Sequence, residues 1–449
     1  MSSDKKGIPR REFLASSAGV AAGIAGLSIL GSTPSMAQTQ GKKRRMALVG
    51  TGIRGSSLWG RTLIRDFSDI IEMVGLCDSN QKRMSYAKEY MNASCPTYSD
   101  TQFDRMIAET KPDTVIVTTM DSFHAKYICR AMELGCDVIT EKPMATDESM
   151  CQDIINTEKR TGKTVTVTFN YRYGPDAVKI KEILMTGEIG EVTSVDFNYY
   201  LDVYHGASYF RRWHGLKQCG GSLLVHKATH HYDLMNWWLD AEPVEVNAYG
   251  DLNRYGHNGE FRSLRCTGCL HKDKCEFFWD ITRETHLMKL YVEAESEDGY
   301  IRDSCVFRNR INIWDTMAVQ VKYHNDVLMS YSLNAFMPYE GFSVGFNGTK
   351  GRLDARIYHN QPWKPASLAE YRLTRNFKNT ETFSLGSGGG GHWGADPQMQ
   401  NRLFRDAGPD RLGQSAGSRD GAMSILIGIA GRRSIEQARP FRIEELVKI

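Results

Sequence analysis

A lysine at the end of a predicted strand is the first candidate for chemistry. Lys142 lies in the run EKP at 141–143, directly after the apolar strand pattern at 137–140. The carboxyl ends of parallel strands are where α/β sheets bind their ligands. An ammonium group there polarises a substrate hydroxyl and stabilises the alkoxide that develops on it. Taken alone, Lys142 also fits a surface lysine in a loop.

A histidine-rich segment in the second half of the chain is the second candidate. Residues 220–239 (GGSLLVHKATHHYDLMNWWL) are predicted to form a helix. His226, His230, Asp233 and Trp237 then share one face, because they are spaced by four, three and four residues. A lone helical histidine is usually a core residue. Four side chains with polar atoms on one face of an apolar helix favour a functional site. Imidazole exchanges protons near neutral pH.

A glycine motif near the start of the chain predicts nucleotide binding. The apolar strand pattern at 44–50 leads into Gly50-Thr51-Gly52-Ile53-Arg54-Gly55, which opens a helical stretch. Gly50 permits a tight turn, Gly52 lets the backbone approach a pyrophosphate, and Gly55 allows close packing of helix on strand. The phosphates would bind free N–H groups at the helix N-terminus.

An acid at the end of the second strand indicates which nucleotide binds. Asp78 ends the strand pattern at 73–78, 23 residues after Gly55, where an acid hydrogen-bonds ribose hydroxyls and disfavours a 2′-phosphate. NAD is therefore expected, and Lys82 and Arg83 leave NADP open. The predicted cofactor-binding residues are Gly50, Gly52, Ile53, Arg54, Gly55, Asp78, Thr118, Thr119, His124, Glu141 and Lys142.

Alternating strand and helix patterns must position these residues. Strands at 114–119 and 137–140 flank a helix at about 123–134, which predicts a parallel sheet covered on both faces. We therefore predict an α/β fold with a Rossmann dinucleotide-binding domain at 44–168. The remainder, 169–449, has alternating polar and apolar strands, which predict an α+β domain with a large, open, mostly antiparallel sheet.

The N-terminus has the layout of an export signal. Arg10-Arg11 precedes an apolar stretch at 13–30, and Ser35-Met36-Ala37 is a small-x-small cleavage site. The arginine pair is typical of a twin-arginine signal, so residues 1–37 are predicted to be a signal peptide of a periplasmic protein. An uncleaved membrane anchor is the alternative. No second long apolar run follows, so no membrane association is expected after cleavage.

The motifs together resemble the Gfo/Idh/MocA oxidoreductases, the family of glucose–fructose oxidoreductase and inositol dehydrogenase. The resemblance rests on five segments and spans nearly the whole mature chain: GTGIRG (50–55), LCDSN (76–80), EKP (141–143), FNYRY (169–173) and the helix at 220–239. It implies a homo-oligomer built on the open sheet face. It also implies a catalytic lysine acting with an Asp and, four residues on, a His or Tyr of that helix.

Lys142, His230 and His226 are thus the predicted catalytic residues, with His230 preferred as the base. His226 stands where many family members have Asp, so the division of acid and base between the two histidines stays open. A sugar is the expected substrate, because the segment 200–215 is rich in stacking faces and hydrogen-bond donors. The predicted substrate-binding residues are Tyr171, Arg172, Tyr204, His205, Arg211, Arg212, Trp213, His214, Asp233 and His392.

Cys266, Cys269 and Cys275 form a C-x2-C-x5-C pattern. Thiolates at this spacing suit Zn²⁺ if a fourth ligand exists, and disulfides are the alternative in an oxidising compartment. The net charge is only +3, with 56 basic and 53 acidic residues interspersed. No nucleic-acid partner is therefore expected.

An exported nicotinamide enzyme must regenerate its cofactor in place. One expected cycle oxidises a sugar hydroxyl and reduces a second acceptor. The other oxidises a glycoside transiently, eliminates the aglycone, adds water and reduces the ketone, which makes a redox-neutral glycosidase. A non-catalytic sugar-binding module is a third hypothesis, and the intact glycine motif together with Lys142 argues against it.

Overall fold

The computed structural model describes residues 42–363, 367–385, 394–405 and 408–448. The predicted signal peptide and His392 lie outside these ranges. Within them, no helix has the length and apolar character needed to cross a membrane.

The first sheet is parallel, and its strand order is β3-β2-β1-β4-β5-β6. The order reverses between β1 and β4, so the loops that leave these two strands diverge and open a crevice at their carboxyl ends. The central strands are buried on both faces because helices cover the sheet from both sides. The six strands are β1 Arg44–Val49, β2 Ile71–Asp78, β3 Thr97–Ser99, β4 Thr114–Val117, β5 Asp137–Thr140 and β6 Val165–Val167.

Five α-helices and one π-helical segment connect these strands. The π-helical segment Gly55–Thr62 follows the glycine motif directly and continues into α1. The helices are α1 Leu63–Asp66, α2 Gln81–Met91, α3 Phe103–Thr110, α4 His124–Glu133 and α5 Glu148–Thr161.

The second sheet has the order β14-β13-β12-β11-β7-β10-β9-β8-β15. Its described pairs are antiparallel except β7 with β10. In β9, buried and exposed residues alternate along the strand, as expected for a sheet with one covered face. The predicted fold class is confirmed. The strands are β7 Val192–Asp202, β8 Pro243–Asp251, β9 Thr316–Tyr323, β10 Leu328–Met337, β11 Glu340–Gly348, β12 Gly351–Asn360, β13 Ala369–Arg375, β14 Thr380–Leu385 and β15 Phe441–Arg442.

The single helix predicted for 220–239 is wrong. The chain forms α9 and α10 with an irregular turn between them, where the Ala228 N–H binds the carbonyl of Leu223, five residues back. This wider turn changes the angle between His226 and His230, so the two rings have different neighbours. The helices of this half are α6 Pro175–Met185, α7 Val203–Arg211, α8 Lys217–Gly220, α9 Leu223–His226, α10 Thr229–Leu239, α11 Thr285–Leu287, α12 Glu295–Asp298, α13 Ala395–Phe404 and α14 Ser418–Gln437.

The long helix α14 supports the turn that carries His226. Gly428 lies against α9, and a Cβ built there would come within 2.3 Å of the Leu224 carbonyl oxygen. Only glycine permits this approach, because the neighbouring atoms are backbone rather than flexible side chain.

We therefore expect Gly428→Ala to lower the free energy of unfolding by about 1–3 kcal/mol, the usual range for overpacking, and to displace His226. Gly417→Ala is the matched control, since its Cβ would lie 3.8 Å from the Val165 carbonyl oxygen. Chemical denaturation of both variants measures the difference. Equal stability of the two would contradict this account of α14.

Candidate active site

The glycine loop packs directly on the end of β4. Gly50 has φ +91°, and a Cβ there would come within 2.6 Å of the Thr118 carbonyl carbon. At Gly55 a Cβ would come within 2.1 Å of the Gly50 oxygen, and the Thr118 hydroxyl donates to that same oxygen at 2.5 Å. Positions 50 and 55 therefore have no room for a side chain, as the backbone cradle of a dinucleotide requires.

Asp78 closes the other side of this cradle. One carboxylate oxygen accepts from the Thr51 N–H at 2.6 Å and from its hydroxyl at 2.8 Å, and the other accepts from the Asn80 N–H at 2.9 Å. The basic neighbours that left NADP open already have partners. Arg83 pairs with Asp78 and Asp298, and the Lys82 ammonium donates to Ser296.

A segment of the second half of the chain lies over this loop. The Ile53 N–H donates to the Tyr291 hydroxyl at 2.9 Å, and the Asn80 amide donates to the Ala294 carbonyl at 2.9 Å. The sequence analysis did not identify Tyr291, which lies 238 residues from Ile53.

Arg54 and Glu141 form an ion pair beside the predicted catalytic lysine. The Arg54 Nε lies 2.6 Å from Glu141, and the other guanidinium nitrogens donate to Asp396 at 3.0 and 3.1 Å. The Trp59 indole also donates to Glu141, at 2.7 Å. These side chains therefore hold the EKP turn against the glycine loop.

His124 holds the other end of the same turn. Its Nδ1 lies 2.8 Å from the Pro143 carbonyl, and its Nε2 lies 3.1 Å from the Thr119 carbonyl. Burial lowers the pKa of His124, although both carbonyl contacts oppose that change. The neutral ring has one N–H and therefore donates to one of the two carbonyls.

Lys142, His226 and Asp121 form the candidate reactive centre. The Lys142 Nζ lies 3.4 Å from His226 Nε2 and donates to the His226 carbonyl at 3.0 Å. On the other side of the ring, His226 Nδ1 is hydrogen-bonded to the Asp121 carboxyl. The three side chains thus make one chain from β4 through α9 to the end of β5.

Burial determines the protonation state of this centre. Burial lowers the pKa of Lys142 to about 8, although Asp121 and Glu141 oppose that change. Burial also lowers the pKa of His226 well below its usual value, and the Lys142 charge adds to the effect. Near neutral pH, His226 is therefore neutral and Lys142 carries a proton, and the ammonium lies within hydrogen-bond distance of His226 Nε2.

His230 belongs to a neighbouring network. Its ring stacks on Tyr171, with centroids 4.3 Å apart and planes 13° from parallel. Lys227 donates to the Tyr171 hydroxyl at 3.3 Å and lies 3.7 Å from Glu340. Glu340 also binds His205 at 2.8 Å. Burial acts to raise the pKa of Glu340, but the Lys227 charge and His205 keep it low.

The side chains of the predicted sugar-binding segment, 200–215, lie in different places in the fold. The His214 ring lies 4.2 Å from that of His226 and 3.5 Å from that of Trp213. Arg211 instead donates to the Cys266 sulfur at 2.9 Å, and Tyr204 is 79% exposed.

Two further residues predicted to bind substrate, Arg172 and Asp233, form an ion pair with each other. Arg172 binds both carboxylate oxygens of Asp233, at 2.8 and 2.6 Å, and also binds Asp420 at 2.9 Å. All of Asp233 and nearly all of Arg172 are buried. Their contacts anchor α10, and neither side chain touches Lys142 or His226.

The predicted zinc site is wrong. All ten cysteines are free thiols, and within the described ranges no three His, Cys, Asp or Glu side chains converge as metal ligands. The Cys266 sulfur accepts from Arg211, and the His271 ring stacks on Phe261 at 4.7 Å. The alternative of disulfides is wrong for the same cysteines.

The sequence analysis missed Asp121, Lys227 and Glu340. Asp121 follows β4 by four residues, so the rule that ligands collect at strand ends could have identified it. No local signal marks Glu340, because its partners lie on α7, α9 and β7.

Comparison with known proteins agrees with this geometry. Residues 44–169 match the model of the oxidoreductase family with an NAD-binding Rossmann fold, Gfo/Idh/MocA, and residues 181–382 match the model of its C-terminal alpha/beta domain. The YteT protein of Bacillus subtilis (strain 168), which is named as an oxidoreductase, is 38% identical to this chain over 424 residues. That match covers 90% of this chain and 99% of YteT.

Two other relatives are more distant. D-glucoside 3-dehydrogenase of Escherichia coli (strain K12) is 32% identical over 123 residues, covering 27% of this chain and 34% of the enzyme. The solved structure of the WlbA dehydrogenase from Bordetella pertussis, in complex with NADH and UDP-GlcNAcA, superposes with a TM-score of 0.61 at 18% identity. It covers 89% of this chain and 99% of WlbA.

The two family models together cover more than half of the chain, and YteT matches nearly all of it. The protein therefore belongs to the Gfo/Idh/MocA family of NAD-binding oxidoreductases.

Proposed function

We propose that this protein is an exported enzyme that oxidises a hydroxyl group of a sugar or glycoside with a tightly held nicotinamide cofactor. The observation that carries the proposal is the chain Lys142–His226–Asp121 at the carboxyl edge of the glycine-loop sheet. Relatives support the substrate class, since one is named for a glucoside and a fold neighbour was solved with a nucleotide sugar.

The residues of the crevice fit a dinucleotide. The loop 50–55 would hold the pyrophosphate on those backbone N–H groups that Asp78 and Tyr291 do not already bind. Asp78 would contact the ribose, and Thr118 and Thr119 border the crevice at the end of β4. A nicotinamide bound there supplies the hydride acceptor. NAD is favoured over NADP because Lys82 and Arg83 are already engaged.

His226 is the better base of the two predicted histidines. Its Nε2 lies next to Lys142, whereas His230 is stacked on Tyr171. Asp121 holds Nδ1 and so selects the tautomer whose Nε2 accepts the hydroxyl proton, as the acid of a catalytic triad does. The Lys142 ammonium stabilises the alkoxide as the C–H hydrogen leaves.

The first test is the protein purified without added cofactor. We expect mass spectrometry to find bound NAD(H), because the segment around Tyr291 and α12 encloses the glycine loop. Adding a panel of sugars and glycosides is expected to produce the absorbance of reduced nicotinamide. Release of aglycone without net reduction would identify a redox-neutral glycosidase instead. Absence of both nucleotide and response would contradict the proposal.

Lys142 gives the reaction a pH dependence of defined sign. Its pKa lies at about 8, so raising the pH through this value removes the charge that stabilises the alkoxide. We expect kcat for oxidation to fall above pH 8, the pKa of Lys142. Lys142→Arg should lack this decline, because guanidinium stays charged.

Lys142→Ala should retain bound cofactor and lose about 100-fold or more in kcat. A native kcat that rises through pH 8 would make Lys142 the base rather than the stabilising cation. Unchanged turnover of Lys142→Ala would remove it from the mechanism.

Export is tested independently of activity. Replacing both Arg10 and Arg11 by Lys preserves charge but removes the arginine pair that the export pathway reads. We expect this variant to accumulate uncleaved in the cytoplasm, while the native chain is recovered from the periplasm beginning near Gln38. Replacing Lys5 and Lys6 by Arg is the control and should leave export unchanged. Equal export of both variants would contradict a twin-arginine signal.

A further inference from the structure

Arg212 and Arg302 are the starting point of this inference. The Arg212 guanidinium carbon lies 5.1 Å from the centre of the Tyr209 ring, and that of Arg302 lies 5.3 Å from the Trp279 ring. Both side chains are partly buried. In the described part of the chain, neither forms an ion pair within 4.0 Å of a carboxylate.

Three other arginines of the protein contrast with this pair. Arg54, Arg83 and Arg172 each contact two carboxylates. The buried Arg211 and Arg308 have no carboxylate partner among the described residues and donate instead to a sulfur and to backbone carbonyls.

Arg212 makes one described side-chain hydrogen bond, from Nε to the Ser208 carbonyl at 2.9 Å, so its two terminal nitrogens still have donors to offer. A half-buried guanidinium group with open donors is suited to bind an anion.

The two arginines adjoin the reactive centre. The Tyr209 ring that carries Arg212 lies 5.3 Å from the His226 ring. His214, whose ring is 4.2 Å from His226, has a pKa well below its usual value because of burial and then the charges of Arg212, Lys142 and Arg302. Arg212 is therefore beside His226, and Arg302 lies 5.8 Å from the Tyr291 ring, between this centre and the glycine loop that Tyr291 contacts.

The carboxylates of this region have other partners. Asp121 binds His226, Glu141 binds Arg54, and Glu340 binds Lys227, His205 and Tyr199. Among the described residues, no carboxylate therefore lies within 4.0 Å of either guanidinium group, and Asp121 acts on Arg212 only at longer range. A neutral sugar leaves that charge in place, whereas an oxyanion neutralises it.

We propose that Arg212 and Arg302 bind an oxyanion group of the substrate, so that the enzyme acts on a sugar acid or a sugar phosphate rather than on a neutral sugar. Guanidinium forks match carboxylate and phosphate oxygens with paired hydrogen bonds. The flat faces of Tyr209 and Trp279 orient the two forks. This inference rests on the proposed function, because it names the substrate of the same site.

The test compares charged and neutral sugars on the purified holoenzyme. The probes are D-glucuronate and D-galacturonate, glucose 1-phosphate, and the neutral D-glucose and D-galactose. Calorimetry measures binding, nicotinamide absorbance measures hydride transfer, and mass spectrometry measures retained cofactor. We expect at least one anionic probe to bind about 100-fold more tightly than its neutral counterpart. The better of uronate and phosphate identifies which oxyanion the site takes.

The variants are Arg212→Gln and Arg302→Gln, each with a lysine variant that keeps the charge. We expect each Gln variant to weaken binding of the anionic probe about 10- to 100-fold, the range for a lost charged hydrogen bond, and to weaken binding of neutral sugars much less. The lysine variants should recover part of the loss. Arg105→Gln is the control, because Arg105 pairs with Glu109 on the exposed side of α3 and should change nothing.

Three outcomes would overturn the inference. Equal binding of anionic and neutral sugars by the native protein is one, and Gln variants that bind the anionic probes as tightly as the native protein are another. Loss of cofactor with anion binding retained would assign the arginines to the dinucleotide instead. Hydride transfer separates the two proposals, since turnover of neutral sugars without anion preference keeps the proposed function and refutes this inference. Anion binding that depends on the arginines but gives no hydride transfer would keep the oxyanion site and refute the proposed function.

Discussion

The guanidinium of Arg54 lies between the carboxylates of Glu141 and Asp396, and three parts of the chain meet at this group. Arg54 belongs to the glycine loop, Glu141 adjoins Lys142, and Asp396 lies in α13. Charges removed from water are stable only when their partners are well placed. The pairing therefore fixes the distance between the glycine loop and the EKP turn that carries Lys142.

The histidine in place of the usual helix acid is accommodated by a second element. The family resemblance implies an Asp at the position of His226. Here the carboxyl group comes from Asp121, after β4, and is hydrogen-bonded to His226 Nδ1. Burial raises the pKa of Asp121 well above its usual value. The acid is thus retained in the site, one ring farther from Lys142, while the group facing the lysine is an imidazole whose pKa burial lowers. This arrangement allows the histidine to accept a proton without a carboxylate competing for it.

Two separate polar networks lie around α9 and α10. Lys142, His226 and Asp121 form the one suited to proton transfer, and Lys227, Glu340, Tyr171 and His205 form the other, which borders it. Because neighbouring residues of one turn, His226 and Lys227, belong to different networks, the irregular turn at Ala228 has a direct effect on the site. It separates His226 from the stripe of His230 that a regular helix would have continued.

The sequence by itself determined the fold class, and it predicted the glycine cradle, Asp78 and Lys142 as parts of the candidate site. These are local features: strand periodicity, the spacing of three glycines and a lysine at a strand end each depend on a few consecutive residues. Only the tertiary structure decided the partners. Helical spacing placed Asp233 beside the histidines, but Arg172 binds it. The cysteine spacing suggested a set of zinc ligands, but the cysteine side chains do not converge. Asp121, Glu340 and Tyr291 meet their partners across 105, 113 and 238 residues. A side chain's partner depends on the packing of distant elements, and no pattern along the chain specifies that packing.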